Sequence, residues 1–132
     1  MSLLLLDTHV LLWATITPKR LPNAIQDRID DPTNTLAFSV VSIWEVVIKA
    51  VLRRADFTVD AMAVLESLRD AGYREFMVTA DHVLMVGTLP LLHRDPFDRL
   101  LLAQAMVEGA TLITADEAVL RYAGPVELIG PV

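Results

Sequence analysis

The stretch Met1-Ser-Leu-Leu-Leu-Leu-Asp7-Thr8-His9-Val-Leu-Leu-Trp13 decides the fold. Four leucines without polar alternation predict a short strand that is buried on both faces, as in the middle of an α/β sheet. Leucine also favours helices, so the break at Asp7-Thr8 supports the strand more than propensity does. Asp7 would then lie just past the carboxyl end of a central strand, where open α/β sheets place their ligand sites.

Length and composition predict one domain, residues 1–132, in a reducing compartment. The chain has no cysteine, which excludes disulfides and thiolate metal sites. No charged segment precedes Leu3–Leu6 as in a signal peptide, and no apolar stretch reaches the ~18 residues of a membrane span. We therefore expect a cytoplasmic protein that does not associate with a membrane.

The hydrophobic fraction of 54% is high for a domain of this size, and the net charge is −6. The apolar excess has two interpretations: a well-filled core, or an apolar surface that a partner or a second copy covers. The negative charge opposes broad electrostatic binding of nucleic acid. A function on nucleic acid would need local basic residues, or metal ions that invert the field at the site.

Apolar runs and breakers alternate along the chain and predict an α/β fold. The expected strands are 3–6, 36–38, 73–78, 111–113 and 126–129, and the expected helices are 10–14, 21–30, 39–52, 59–71, 79–86, 96–108 and 117–122. This alternation implies a parallel sheet that is covered by helices on both faces. Right-handed crossovers then place every strand-to-helix junction at one edge of the sheet.

Carboxylates occur at four positions along that edge. They are Asp7 after the first strand, Glu45 in the helix after the second, Asp98 in the helix that begins at Pro96, and Asp116 after the fourth strand. Four such groups would repel one another, and hard divalent cations relieve that repulsion. An all-oxygen set without cysteine suits Mg²⁺ or Mn²⁺ rather than Zn²⁺. Carboxylates that bind one or two such ions commonly serve phosphodiester cleavage.

The helix around Glu45 allows two interpretations. Ser42 to Glu45 matches a capping box with Ser42 as the N-cap; alternatively, Ser39 is the N-cap and Glu45 faces the site from the second turn. Glu45 also forms a favourable i,i+4 pair with Lys49, and we expect Lys49 to balance this acid rather than bind phosphate. Capping does not explain an acid in a run as apolar as 40–52, because an unpaired buried charge is very costly.

The later acids also have structural interpretations. Asp95 fits an N-cap before Pro96, and Asp98 then occupies a favourable position in the helix dipole. Thr114 to Glu117 fits another capping box with Thr114 as the cap. The catalytic interpretation therefore rests on the joint occurrence of the acids at one edge.

Four segments, taken in order, match one known family. They are Leu5-Leu-Asp-Thr-His-Val-Leu-Leu-Trp13, Ser39-Val-Val-Ser-Ile-Trp-Glu-Val-Val-Ile-Lys49, His93-Arg-Asp-Pro-Phe-Asp-Arg-Leu-Leu-Leu-Ala-Gln-Ala105 and Leu112-Ile-Thr-Ala-Asp116. Together they resemble the PIN-domain ribonucleases, and most of all the VapC-type toxins of bacterial toxin–antitoxin pairs. The resemblance implies a three-layer α/β/α PIN-like domain with a central parallel sheet of four to five strands.

The resemblance also implies which residues form the site. The acidic set that binds one or two Mg²⁺ or Mn²⁺ ions would be Asp7, Glu45, Asp98 and Asp116. Thr8 and Thr114 stand where small hydroxyl residues support that set, and Asp95 would be a neighbouring acid, more plausibly a cap than a ligand.

The implied activity is metal-dependent endonucleolytic cleavage of RNA, often tRNA. The resemblance further implies a homodimer that a cognate antitoxin neutralises. A segment of the antitoxin would lie in an apolar groove, which the apolar helices at 40–52 and 61–68 could form.

Several other side chains could take part. The histidines at 9, 82 and 93 would allow metal-free acid–base cleavage, but we expect each to be a supporting or surface residue. Arg94 and Arg99 are candidates for phosphate contact, or they balance Asp95 and Asp98. Trp13 could stack on bases, as could the tryptophan at 44, but their apolar settings indicate core positions.

Two other functions stay open at this point. The chain could be a catalytically inactive PIN-fold module that acts through a protein partner. It could also be a phosphotransfer domain with Asp7 as the acceptor, although that chemistry often has a second acid at position +2, where this chain has His9.

Overall fold

The chain alternates strands and helices in the order that the apolar pattern predicts. The structure is a computed structural model that describes residues 2–52, 58–92, 95–122 and 124–128. The strands are β1 (Leu3–Leu6), β2 (Thr35–Ser39), β3 (Arg74–Phe76), β4 (Thr111–Thr114) and β5 (Val126–Leu128). The α-helices are α1 (Thr8–Ile16), α2 (Asn23–Asp30), α3 (Val40–Val51), α4 (Ala61–Asp70), α5 (Ala80–Val86) and α6 (Pro96–Glu108), and short 3₁₀ segments span Pro18–Arg20 and Glu117–Arg121.

The five strands form one parallel sheet in the order β3-β2-β1-β4-β5. The leucine strand β1 is central, and it pairs with β2 on one side and β4 on the other. Leu4, Leu5 and Leu6 are all buried, because both faces of the sheet are covered. The predicted central position of the first strand and the expected number of strands are confirmed.

Successive residues of β1 point into two separate cores. Leu4 and Leu6 pack into one core with residues of α1, α2 and α4, whereas Leu5 packs into the other with residues of α6. This alternation follows from the two-residue period of a strand. The predicted three-layer α/β/α arrangement is therefore confirmed, with the sheet between two helical layers.

Several predicted elements need correction. The first helix is longer than predicted and begins at Thr8, because the Asp7 carboxylate accepts from the Val10 N–H and acts as its N-cap. The third strand is only Arg74–Phe76, and the predicted helix at 117–122 is a 3₁₀ segment. The predicted end of the last strand at 129 lies outside the described residues.

The apolar excess is divided between the core and the surface. Both cores consist mainly of buried aliphatic side chains with a few aromatic ones, yet large apolar side chains on α3 and α4 remain exposed. Trp44 is 57% exposed, so its interpretation as a core residue is wrong; Trp13 is half-buried and packs against a core. None of the helices in the described ranges is long and apolar enough to cross a membrane.

Gly109 ends α6 and turns the chain into β4. Its φ of 70° lies in the left-handed region, and its N–H donates to the Ala105 carbonyl as the helix ends. This turn sets the position of β4 relative to α6, and therefore the position of Asp116, which follows β4.

We expect Gly109→Ala to lower the free energy of unfolding by about 1 kcal/mol, because an L-residue is strained at this φ. A Cβ at Gly109 would meet no atom within 4 Å, so the cost is conformational rather than steric. Gly109→Asn should lose less, since asparagine tolerates the left-handed region. Urea denaturation of both variants measures the difference, and equal losses would contradict this explanation.

Candidate active site

The proposed acids lie at the carboxyl edge of the sheet. Asp7 follows β1, Glu45 lies in the helix after β2, and Asp116 follows β4. The helix α6 leads into β4, so it runs back along the sheet and its first turn, with Asp98, lies at the same edge. The topology thus brings all four positions to one edge.

Asp7 is almost completely buried at the centre of this edge. Its Oδ1 accepts from the Val10 N–H at 2.8 Å, and its Oδ2 accepts from the Thr114 hydroxyl at 2.5 Å and the Ala115 N–H at 3.2 Å. Burial raises the pKa of the Asp7 carboxyl above its usual 3.8, although these hydrogen bonds oppose the shift. Holding Asp7 ionised therefore costs free energy.

Thr114 connects Asp7 to Asp116. Its hydroxyl donates to Asp7 and accepts from the Asp116 N–H at 3.0 Å. The prediction that Thr114 is an N-cap is wrong: Thr114 belongs to β4, and Asp116 caps the following 3₁₀ segment by accepting from the Ala118 N–H. The Thr114 hydroxyl instead donates to Asp7, which follows β1, because β1 and β4 are neighbouring strands of the sheet.

Glu45 is buried in the second turn of α3. Ser39 is the N-cap, since its hydroxyl accepts from the Val41 N–H, so the interpretation with Ser42 as the cap is wrong. The Thr8 hydroxyl donates to Glu45 Oε1 at 2.8 Å and lies 3.0 Å from Ser42 Oγ. Glu45 is thereby attached to the residue that follows Asp7.

Ser42 is a supporting residue, although its sequence context indicates only a helix cap. It is fully buried and lies against the Thr8 hydroxyl. The signal for it was present, because Ser42 precedes Glu45 by three residues and positions i and i+3 share one helix face.

Lys49 forms the expected pair with Glu45, with 3.1 Å between Nζ and Oε2. Both residues border a cavity of about 420 Å³ between α3 and the start of α6, which Asp95 and Phe97 also line. This cavity is open to solvent and lies on the acidic edge of the sheet. The site therefore contains a cation as well as carboxylates.

The start of α6 lies beside α3. Asp95 is the N-cap and accepts from the N–H groups of Phe97 at 2.9 Å and Asp98 at 3.4 Å, which confirms its predicted capping role. The rings of Phe97 and Trp44 are in edge-to-face contact, with 5.1 Å between centroids. Since these aromatic residues adjoin Asp98 and Glu45 in sequence, the contact holds the two acid-bearing turns together.

The remaining candidates differ in position. Arg99 donates from Nη2 to the carbonyls of Val86 and Leu89, so its guanidinium holds the loop after α5. His9 is exposed next to Trp13. The predicted residues His93 and Arg94 lie outside the described part of the chain.

His82 is a buried residue that supports the packing of two helices. His82 is buried; its Nδ1 accepts from the Thr79 N–H at 3.0 Å, and its Nε2 lies 3.3 Å from Glu108 Oε2. These contacts join the start of α5 to the end of α6, away from the acidic edge.

The acidic set suits a hard divalent cation in its chemistry, since its donors are carboxylate and hydroxyl oxygens. Within the ranges that the structure describes, no group of three or more His, Asp or Glu residues has the spacing of a metal-binding cluster. The oxygens of Asp7 and Glu45 are instead held by the donors named above, and Asp116 Oδ1 by a backbone N–H.

The model of the PIN domain family matches residues 4–125 of this chain. The chain belongs to the PIN-domain family. This membership confirms the resemblance that the four sequence segments indicate.

Among individual PIN-domain proteins, the chain is similar to Ribonuclease VapC22 of Mycobacterium tuberculosis, with 28% identity over 136 residues and 95% of each chain covered. It is similar to a crystal structure of VapBC-5, a member of the VapBC family of toxin-antitoxin systems from the same organism, with 25% identity, a TM-score of 0.65 and 98% of both chains covered. The structure of VapBC2 from Rickettsia felis, bound to a DNA fragment from its promoter, has a TM-score of 0.75 at 18% identity, with 97% of this chain and 99% of that chain covered; it shares the fold.

The raised pKa of Asp7 predicts how the stability of this PIN domain depends on pH. Protonated Asp7 contributes stability that is fully present below pH 3.8, the ordinary pKa of the group. This stability is lost as the pH rises through the raised pKa of Asp7 in the folded protein. Asp7→Asn removes this titration. We therefore expect the variant to gain stability relative to the wild type as the pH rises, in unfolding measurements with EDTA from about pH 3 to about pH 8.

Asp31 supplies the control with the opposite sign. Hydrogen bonds from Thr33 lower the pKa of this exposed carboxyl, so Asp31→Asn should lose stability relative to the wild type as the pH rises through the acid range. Parallel stability curves for the wild type and Asp7→Asn would contradict the assignment of a buried, costly charge to Asp7.

Proposed function

We propose that this PIN domain is an endoribonuclease that depends on Mg²⁺ or Mn²⁺ and acts as the toxin of a toxin–antitoxin pair. The observation that carries the proposal is the hydrogen-bonded unit of Asp7, Thr114 and Asp116, to which Glu45 is attached through Thr8. The similarity to Ribonuclease VapC22 supports RNA as the substrate. RNA as the substrate also supports a cytoplasmic location.

The four acids at the carboxyl edge would hold one or two divalent ions. The bound metal supplies positive charge that stabilises the attacked phosphate and makes water a better nucleophile. The donors around the acids keep their oxygens oriented before substrate arrives: Thr114 acts on Asp7, and Thr8 acts on Glu45. Such preorganisation lowers the cost of reaching the transition state.

The reaction adds water across a phosphodiester bond. The oxygen of water forms a bond to phosphorus in line with the leaving group, and the bond from phosphorus to the 3′ oxygen breaks. The 3′ oxygen takes a proton, so the products carry a 5′-phosphate and a 3′-hydroxyl. His9 and Arg94 are candidates for contact with RNA. Arg99 is a weaker candidate, since its Nη2 already binds two backbone carbonyls.

Asp98 and Asp95 offer a matched test of the catalytic set. Both are partly exposed acids at the start of α6, but Asp95 is the helix cap. We expect Asp98→Asn to lower kcat for cleavage of an RNA substrate by about 10²- to 10³-fold, as losing a group that stabilises the transition state does. Asp95→Asn should stay within several-fold of the wild type, since asparagine also caps helices.

The same assay with EDTA tests the metal requirement. Chelation should abolish cleavage by the wild type, and Mg²⁺ or Mn²⁺ in excess should restore it. Cleavage that survives EDTA, or equal losses for Asp98→Asn and Asp95→Asn, would contradict the metal-dependent set. A wild type that neither cleaves RNA nor gains thermal stability from metal would favour the inactive binding module instead.

We propose that a cognate antitoxin covers the apolar surface between α3 and α4. Val47 and Val51 of α3 are exposed there, and Met62 of α4 is 62% exposed. A cavity of about 490 Å³ that Val47, Val51 and Ala61 help to line lies between the two helices. An amphipathic segment of a partner can bury its apolar face in such a groove. The similarity to VapBC-5, a toxin-antitoxin protein, supports this type of partner.

We propose that the expected homodimer forms through a second exposed apolar group. Its members are Met77, Val78, Val83 and Leu84. Met77 and Val78 follow β3, which is at the edge of the sheet, and Val83 and Leu84 belong to α5. Two separate surfaces would allow the dimer and the antitoxin complex to exist together.

We expect Val51→Asp to weaken antitoxin binding by at least about tenfold, because a charge placed in an apolar interface core is desolvated without a partner. Leu84→Glu is the control at the other surface and should leave antitoxin affinity unchanged. Titration calorimetry with the cognate antitoxin measures both. If only Leu84→Glu weakened binding, the antitoxin would be assigned to the wrong surface.

A further inference from the structure

Lys49 is in direct contact with one member of the proposed catalytic set. Its Nζ is 3.1 Å from Glu45 Oε2, and the other oxygen of that carboxylate accepts from the Thr8 hydroxyl. The Glu45 side chain is 11% exposed and that of Lys49 is 27% exposed. The pair is therefore shielded from solvent far more than an ordinary ion pair on a helix surface.

An ammonium group and a divalent cation compete for the same carboxylate oxygen. Both are cations, and at such a short separation they repel each other strongly where little water screens them. A divalent ion that binds Glu45 Oε2 must therefore separate Nζ from that oxygen. The pairing keeps the buried Glu45 neutralised until then, which avoids the large cost of an isolated buried charge.

The surroundings of Lys49 allow the ammonium to move. The cavity of about 420 Å³ that both residues border also contains Asp95, a second carboxylate, on its opposite wall at the start of α6. The lysine stem is flexible, so Nζ can leave Glu45 for the cavity without moving the α3 backbone. The displaced charge thus stays near a second carboxylate and near water.

We propose that Lys49 is the resident counter-ion of Glu45, which the divalent metal ion must displace, so that Lys49 sets the metal concentration at which the site fills. This inference rests on the proposed function, because it takes Glu45 as a metal ligand. Lys49 is here a positioning and regulating residue, since it acts on the metal through Glu45.

Mn²⁺ binding to the purified protein tests the proposal without any activity measurement. Lys49→Met should bind Mn²⁺ about three- to tenfold more tightly than the wild type, as expected for the loss of one partly buried ion pair. Lys49→Arg should bind it more weakly, because a guanidinium holds a carboxylate through two hydrogen bonds. Lys19→Met removes a charge from the exposed segment Pro18–Arg20 and should leave the affinity unchanged.

A double-mutant cycle separates competition at Glu45 from a general effect of charge. In the Glu45→Gln background, Lys49→Met should no longer tighten Mn²⁺ binding, because the oxygen for which the cations compete carries no charge. An undiminished gain in that background would show that Lys49 only changes the field at the site, and it would overturn the proposal.

Thermal unfolding supplies an independent readout. In EDTA, Lys49→Met should melt below the wild type, since Glu45 loses its counter-charge; saturating Mn²⁺ should remove most of this difference, because the metal takes over that role. A purely structural ion pair would lower the melting temperature equally with and without Mn²⁺, which would overturn the proposal.

The failures of the two proposals can be told apart. If the wild type binds Mn²⁺ and cleaves RNA but Lys49→Met and Lys49→Arg leave the Mn²⁺ affinity unchanged, this inference fails and the proposed function stands. If the wild type binds no Mn²⁺, the proposed function fails and this inference fails with it.

Discussion

A carboxylate buried at the end of the central strand is the constraint on which the rest of the structure depends. Asp7 cannot be moved toward solvent, because β1 lies between β2 and β4 and helices cover both faces. Burial opposes its ionisation, so the fold must supply donors: the Val10 N–H, the Ala115 N–H and the Thr114 hydroxyl. These donors come from the helix that follows Asp7, from the end of the neighbouring strand β4 and from the residue after it, and they join the two elements at this edge.

Structural and catalytic interpretations of the acids do not exclude each other in this fold. Asp7 and Asp116 cap the segments that follow them, and Glu45 pairs with Lys49 and Thr8. Each contact satisfies a carboxylate that would otherwise be costly to bury or to hold among like charges. Acids at one edge of the sheet can therefore be stable without a metal ion, because Asp7, Asp116 and Glu45 each have such a local partner.

The high hydrophobic content reflects the two cores and the surface together. The leucines of β1 fill both cores, whereas Trp44, Val47 and Val51 of α3 remain exposed. A single helix thus has one buried face with Glu45 and one exposed apolar face. This division explains why a chain with a net charge of −6 can combine an acidic edge with apolar surfaces suited to protein partners.

The sequence by itself determined the strand order along the chain, the central leucine strand, the cap at Asp95 and the arrival of the acids at one edge. These features follow from local patterns: burial on both faces excludes polar residues from a strand, and proline and capping residues mark helix starts. Only the tertiary structure decided which donor holds which acid. Thr8 and Glu45 are 37 positions apart, and Thr114 and Asp7 are 107 apart. Their hydrogen bonds depend on strand register and on how each helix is rotated against the sheet, which packing sets and local pattern does not specify. The exposure of Trp44 also depends on packing. The sequence reveals that its helix is apolar, but it does not reveal which face of that helix the sheet covers.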